Sequence, residues 1–438
     1  MHEGPDSSYS YPDLETSRIV KAVKDYLGIL KLFSKNVRWY LVGSFLMGIN
    51  FQVFLLLLNL YLKDAGFLES EIGLVGSVRG VGMTMVAIPA AIILSRLKLK
   101  PILILSVTFF AFFSFLIIST LDFKLILSFS FLSGVSFVFY RIAGGPFFMR
   151  NSTRKERTHI FSFSFGMMIL AGMVGSLGAG KMVVLVEHLT GDLILGYQYT
   201  LYTGICLSML ALIPFLMLKT KKPTKEEKEA KITFKMLKKK RRFYSHVFIV
   251  NFLMGMGAGL VIPFLNLYFK NRFESSPDDI GLYFFLVQCS MLVGSLSAPE
   301  FARKFGLVNT VVYAQLLSIP FFLVMSYTYI LPLAVIAFVI RGGLVNSGWP
   351  IVSNLSMELS DKHDQALVNA LLMIAWTSSW MVSSAVGGTL IEKYGFTFTM
   401  NITICLYVLS SIAFYLFFRK TEKKDESGNW IILSENKS

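Results

Sequence analysis

The sequence predicts an all-α integral membrane fold: twelve transmembrane helices in two pseudo-symmetric six-helix bundles. Composition is the first reason. Of 438 residues, 54% are hydrophobic and 16% charged, with mean hydropathy +0.61. A soluble chain could not hide that much apolar surface, so lipid is the solvent for most of it. The second reason is twelve apolar runs of the length a bilayer demands, about 20 residues. The third is an internal echo. Leu58-Asn59-Leu60-Tyr61-Leu62-Lys63, followed by Ile72-Gly73-Leu74, returns as Leu265-Asn266-Leu267-Tyr268-Phe269-Lys270, followed by Ile280-Gly281-Leu282. Each copy closes one apolar run and hands over to the next. One unit used twice in a membrane chain points to a transporter with like halves.

Taken in order, residues 1–37 form a cytosolic segment. Met1–Asp13 is polar and acidic, without a basic start or a short apolar core, so no secretory signal is expected. Ile19, Val23, Tyr26, Leu27, Leu30 and Phe33 recur at helical spacing, with Lys21, Lys24, Lys31 and Lys35 elsewhere on the wheel. That pattern fits a basic amphipathic helix on the membrane surface, or else an ordinary solvated helix. The N-terminal bundle, 38–218, holds runs at 39–62, 72–94, 102–120, 125–149, 160–186 and 199–218. A lysine-dense cytosolic linker, 219–243, follows. The C-terminal bundle, 244–419, holds runs at 247–269, 280–298, 308–326, 331–357, 367–391 and 398–418. Residues 420–438 read as a polar cytosolic tail, expected to be disordered.

Charge distribution sets the orientation. One set of loops carries only Lys63, Lys124, Lys270, Arg272 and Lys393; nearly all other Lys and Arg lie on the opposite side. The positive-inside rule therefore places both termini in the cytosol, with the cell (plasma) membrane as the host. The net charge of +15 does not imply nucleic acid, because the basic residues sit in short loops where anionic lipid headgroups are the expected partner. Cys206, Cys289 and Cys405 lie within apolar runs, without metal-ligand or disulfide spacing. Gly175-Ser176-Leu177-Gly178-Ala179-Gly180-Lys181-Met182 almost spells a phosphate-binding loop. It lacks the Ser/Thr for magnesium and lies inside a lipid-length run, so no nucleotide site is expected.

Six plus six spans, a basic linker and an echo between halves together resemble the major facilitator superfamily, over roughly Trp39 to Phe418. Two motifs add to the likeness. Ala91-Ile92-Ile93-Leu94-Ser95-Arg96-Leu97-Lys98-Leu99-Lys100-Pro101 runs in frame with the family's Gly-x-Leu-Ala-Asp-Arg-x-Gly-Arg-Arg-Pro loop. Arg96, Lys100 and Pro101 keep its character; Ser95 stands where the Asp belongs and Lys98 where the second Gly belongs. In the second copy, Pro299-Glu300-Phe301-Ala302-Arg303-Lys304-Phe305-Gly306, Arg303 takes the Asp position. The resemblance implies a gating role for Ser95, Arg96, Lys100, Arg303 and Lys304. Arg141 with Gly145 resembles the family's Arg-x-x-x-Gly pattern, and the related span carries Arg341-Gly342-Gly343. The family's Gly-Pro antiporter pattern is not met in span 5, where Gly166, Gly172, Gly175, Gly178 and Gly180 suit close helix packing.

Three arginines fall well inside spans: Arg79, Arg141 and Arg341. Each costs about 2.5–3.5 kcal/mol at mid-membrane on insertion scales, and no Asp or Glu lies equally deep. Two readings stand. The guanidinium forks hold a substrate anion bidentately, or they bond helix carbonyls and lock helices together. The five histidines sit in loops, tails or span ends, so facilitated diffusion or anion exchange is favoured over proton coupling. Asn50, Asn251 and Gln288 contribute amides; Asn346 with Trp349, and Asn369 with Trp376 and Trp380, form aromatic–polar stripes suited to a bulky or ring-bearing solute. Interhelical bonding is the plainer role for any single amide. Asn59 and Asn266, at span ends, read as caps or gate contacts.

The reading is a secondary active or facilitative transporter moving a small solute by alternating access, with an organic anion held by intramembrane arginines. The protein is expected to be a monomer, with no cofactor, metal or catalytic residue. The alternatives are a multidrug or amphipathic-compound exporter and a non-transporting receptor or scaffold. An intramembrane enzyme would need a reactive constellation that the sequence does not contain.

Overall fold

The computed structural model describes residues 33–220, 241–360, 365–424 and 430–432. The expected surface helix, most of the linker and the end of the tail lie outside these residues.

Among the described residues, eleven helices are long and apolar enough to cross a bilayer. In the first half these are α1 (Lys35–Asp64), α2 (Glu69–Arg96), α3 (Leu99–Ile118), α4 (Phe123–Asn151), α5 (Arg154–Thr190) and α6 (Leu193–Leu210, continued by Leu212–Leu216). In the second half α7 comes in two pieces, Arg241–Val261 and Leu265–Phe273, followed by α8 (Pro277–Phe305), α9 (Leu307–Tyr327) and α10 (Leu331–Glu358). The last stretch, Gln365–Phe418, is broken at Gly395, whose φ of 79° and ψ of 175° are not helical. Its apolar part alone runs to 48 residues, roughly 70 Å at about 1.5 Å per residue and more than twice a bilayer core. It is therefore two crossings, α11 (365–394) and α12 (396–418), and the crossings among the described residues number twelve.

Helix ends follow from local chemistry. The Asp122 carboxylate accepts from the Lys124 and Leu125 amides at the start of α4 (2.9 and 3.1 Å). Asp192 does the same for α6, and Ser276 with Pro277 opens α8. Gly191, in the left-handed region at φ 73°, ends α5.

The two halves repeat in register. α2 and α8 begin at Glu69 and Pro277, α3 and α9 at Leu99 and Leu307, and α4 and α10 at Phe123 and Leu331, a constant offset. They meet along two seams, α2 against α11 and α5 against α8, and each seam is a glycine crossing. A Cβ on Gly73 would lie 2.5 Å from the Ser384 carbonyl oxygen, and one on Gly281 would lie 2.6 Å from that of Ser176. These are symmetry-related contacts. The glycine of the repeated Ile-Gly-Leu thus lets backbone touch backbone between the halves, as small residues do in lipid.

The tail departs from expectation. After α12, Glu422–Lys424 pairs antiparallel with Trp430–Ile432. The Glu422 carboxylate accepts from the Leu307 and Val308 amides at 2.7 and 2.9 Å, satisfying two orphan donors at the start of α9. Trp430 Nε1 donates to the Lys304 carbonyl at 3.2 Å. A helix N-terminus near a carboxylate orders this stretch, which its polar composition does not reveal.

The seam predicts opposite outcomes two residues apart on α5. A Cβ on Gly180 would fall 2.5 Å from the Pro277 carbonyl oxygen and 2.8 Å from Asp278 Cα, whereas one on Gly178 meets nothing within 4 Å. Gly180→Ala should cost about 1–3 kcal/mol of overpacking, while Gly178→Ala should gain up to about 1 kcal/mol of helix propensity. Melting of the two purified variants checks the contrast; equal melting temperatures would mean the seam is loose.

Candidate functional site

The repeated stretch is where the halves hold each other. In the first copy Leu60, Tyr61 and Leu62 are fully buried, as are Leu267, Tyr268 and Phe269 in the second. Each tyrosine ties its own half: Tyr61 Oη donates to the Ile118 carbonyl (3.1 Å) and Tyr268 Oη to the Met325 carbonyl (2.6 Å). Each asparagine crosses over. Asn59 Nδ2 donates to the Pro263 carbonyl and Asn266 Nδ2 to the Leu56 carbonyl, both at 2.6 Å. The acceptor is in each case three residues before the opposite asparagine. α7 supplies its acceptor through a break: the 3-10 turn Ile262–Phe264 interrupts the helix, and the Leu267 amide donates to Asn266 Oδ1.

Charges extend the closure on this side of the membrane, the side away from the linker. Lys270 pairs with Asp64 across the halves, and Lys63 pairs with Glu69 at 2.8 Å. Asn271 Nδ2 donates to Glu69 (3.1 Å), and the Ser70 amide donates to Glu392 (3.1 Å).

Beneath this closure lies a cavity of about 300 Å³, with Asn59 and Pro263 among its lining residues. α1 contributes Phe51, Phe54 and Leu58, and α2 contributes Arg79 and Met83. α4 presents Ser130, Ser133, Phe137 and Arg141, one face at spacings of three, four and four. α11 closes the opposite wall with Trp376, Thr377, Trp380 and Ser384. Among the described residues no Asp or Glu lines the cavity. The Arg79 guanidinium lies 5.5 to 6.0 Å from the rings of Phe110, Phe137 and Phe51, a cation–π setting. Arg141 is exposed to the cavity.

Arg341 departs from the sequence expectation. It is buried, donates to Tyr407 Oη at 2.7 Å and stacks 4.5 Å from the Phe322 ring, so it joins α10 to α9 and α12 and does not line the cavity. The constant offset explains this: the counterpart of Arg341 is Ser133, and that of Arg141 is Trp349. The amides also fall elsewhere. Asn251 Nδ2 and Asn346 Nδ2 each donate to a carbonyl of their own helix (Val247 and Gly342, both 2.8 Å). Gln288 packs on Gly172 in the α5–α8 seam, and Asn50 is fully buried facing Gly204 of α6. Trp349 is 41% exposed and reaches the site only through Trp376, at 5.2 Å between rings. The side chain of Asn369 lies outside the described residues. Sequence reasoning missed Ser130, Ser133 and Thr377; their signal is position on the same helix face as Arg141 or Trp380.

The loop residues show local bonds. Ser95 Oγ donates to the Ile92 carbonyl (2.8 Å), and Arg303 pairs with Glu300 of its own helix (2.7 Å). Lys304 sits 5.3 Å from the Phe305 ring, Arg96 is exposed, and Lys100 is half-buried in the first turn of α3.

The family model of the Major Facilitator Superfamily matches residues 40–250 and 247–429. The chain belongs to this superfamily. It is an integral membrane protein and a transporter of some solute. Its fold is similar to that of a bacterial homolog of the human lysosomal transporter Spinster (13% identity, TM-score 0.72, covering 90% of this chain and 98% of that one). It is also similar to the nucleoside transporter NupG (16%, 0.71, 88% and 100%) and to the human organic anion transporter MFSD10 (16%, 0.60, 87% and 99%). No curated protein sequence matches the chain.

The crossed bonds predict a shift in conformation. Interhelical hydrogen bonds in membranes average about 0.6 kcal/mol and reach about 1.7, so removing two should move the equilibrium by roughly eightfold to three-hundredfold. In a cysteine-free background, spin labels at Leu189 and Ile330, both exposed on the far side, report the change. Asn59→Ala with Asn266→Ala should add a longer-distance population, and an unchanged distribution would show that the asparagines do not hold this side shut.

Proposed function

We propose that the protein carries a small organic anion across the plasma membrane by alternating access, the anion resting on Arg79 and Arg141. One observation carries the reading: among the described residues both charges lining the cavity are guanidinium groups, and no carboxylate lines it to balance them. Charge gathered in a cavity within the membrane without a counter-charge is costly, and a substrate anion meets that cost while gaining charge-assisted hydrogen bonds. Solved relatives with this fold include a D-xylose–proton symporter as well as nucleoside and organic anion transporters, so the fold leaves the solute open and the lining residues decide.

The cycle follows from the contacts. With the far side closed by the asparagines and ion pairs, the solute reaches the arginines from the linker side, which the basic loops assign to the cytosol. Opening the far side requires the seams at Gly73–Gly388 and Gly180–Gly281 to tilt while Asn59 and Asn266 release. With no titratable carboxylate among the described residues of the cavity, facilitated diffusion or anion exchange serves better than proton coupling. The aromatic wall formed by Trp376 and Trp380 supports a second reading, export of amphipathic compounds; the two guanidinium groups weigh against cationic ones.

Uptake into proteoliposomes tests the assignment with radiolabelled benzoate and 2-naphthoate against tetraphenylphosphonium. Arg79→Gln and Arg141→Gln should each reduce anion uptake at least tenfold, as loss of a charge-assisted bond implies, whereas Arg341→Lys should lower the melting temperature and leave the apparent KM unchanged. Full anion uptake by both glutamine variants, or uptake of the cation alone, would end the anion reading.

A further inference from the structure

Three residues that line the cavity each carry a buried hydrogen-bond donor with no acceptor among the described residues: Arg79 Nη2, Ser130 Oγ and Trp380 Nε1. Each is unusual in its setting. Serines in these helices normally donate to their own backbone, as Ser128 does to Lys124 and Ser136 to Leu132, but the fully buried Ser130 does not. Thr377, Ser378, Ser379 and Ser383, neighbours of Trp380 on α11, all return their hydroxyls to helix carbonyls. The indole cannot do so. Three phenyl rings lie 5.5 to 6.0 Å from the Arg79 guanidinium, and they offer its N–H groups no lone-pair acceptor. An unmet buried donor costs about 1–3 kcal/mol, so three on residues of one cavity wall favour a ligand that accepts hydrogen bonds.

We propose that the transported anion has an acceptor-only head group, a carboxylate or sulfonate, on an apolar body, and that Ser130 and Trp380 determine this specificity alongside Arg79. The inference rests on the anion reading and narrows it. A head with two or three oxygens and no hydrogen satisfies all three donors. Zwitterions would set an ammonium group against guanidinium, and sugars would bring hydroxyl donors against Phe51, Phe54, Leu58 and Ile117, where no acceptor waits. The apolar body fits that same wall. Arg79 and Ser130 belong to the first half and Trp380 to the second, so one head group bonds both halves and links occupancy to their relative position.

Binding to the purified full chain in nanodiscs, measured above partition into empty nanodiscs, tests this with four isosteres. 2-Naphthoate and 2-naphthalenesulfonate should bind at least tenfold more tightly than 2-naphthamide and 2-(aminomethyl)naphthalene. Trp380→Phe, which keeps a ring but loses the N–H, and Ser130→Ala should each weaken naphthoate about tenfold; Ser136→Ala should not. If Trp380→Phe melts early, Ser130→Ala decides. Loss of naphthoate binding in Arg79→Gln with no change in Trp380→Phe or Ser130→Ala would overturn the three-donor head and leave the anion reading standing. Amide binding equal to that of the carboxylate would also overturn it. Binding of the amine alone, or of none of the four, would overturn both.

Discussion

Two crossed asparagine bonds, Asn59 to Pro263 and Asn266 to Leu56, hold the halves together on one side of the membrane. In lipid no hydrophobic force drives helix to helix, so small-residue contact and a few polar bonds must decide which arrangement prevails. The glycine seams bring the backbones within reach, the asparagines fix the register, and Lys270–Asp64 adds an ion pair at the rim. Each term is small. Together they amount to a few kcal/mol, enough to favour one conformation and little enough for a bound solute to reverse.

The cavity arises where the symmetry of this scaffold fails. In the second half, Arg341 and Phe322 pack against each other and Tyr407 and fill the space between α9, α10 and α12. Their counterparts in the first half, Ser133 and Ser114, are two small hydroxyl residues, and both line the cavity. Smaller side chains on an equivalent backbone leave a hollow, and Arg79, whose counterpart is Val287, puts charge into it. Matched backbones therefore supply the motion, and mismatched side chains supply the site.

Much of this could be read along the chain. The apolar runs mark the crossings, with the last two fused into one helical stretch except at Gly395. The repeated Leu-Asn-Leu-Tyr and Ile-Gly-Leu identify the residues that meet between the halves, and Arg79, Arg141, Trp376 and Trp380 stand out as costly or bulky groups in apolar context. Less legible were the amides. Asn251 and Asn346 look like path-lining residues but bond their own helices, a choice no spacing reveals. Ser130 and Ser133 look like ordinary helix serines until their neighbours are known.

Hydrophobic length and repetition are local properties, so they alone settle that the chain crosses a bilayer twelve times as two like halves. Partners are not local. Whether a buried arginine faces a ring, a tyrosine hydroxyl or an open cavity depends on side chains contributed by other helices. Only the packed structure separates Arg341, which donates to Tyr407 away from the cavity, from Arg79, which lines the cavity and has no side-chain acceptor for Nη2.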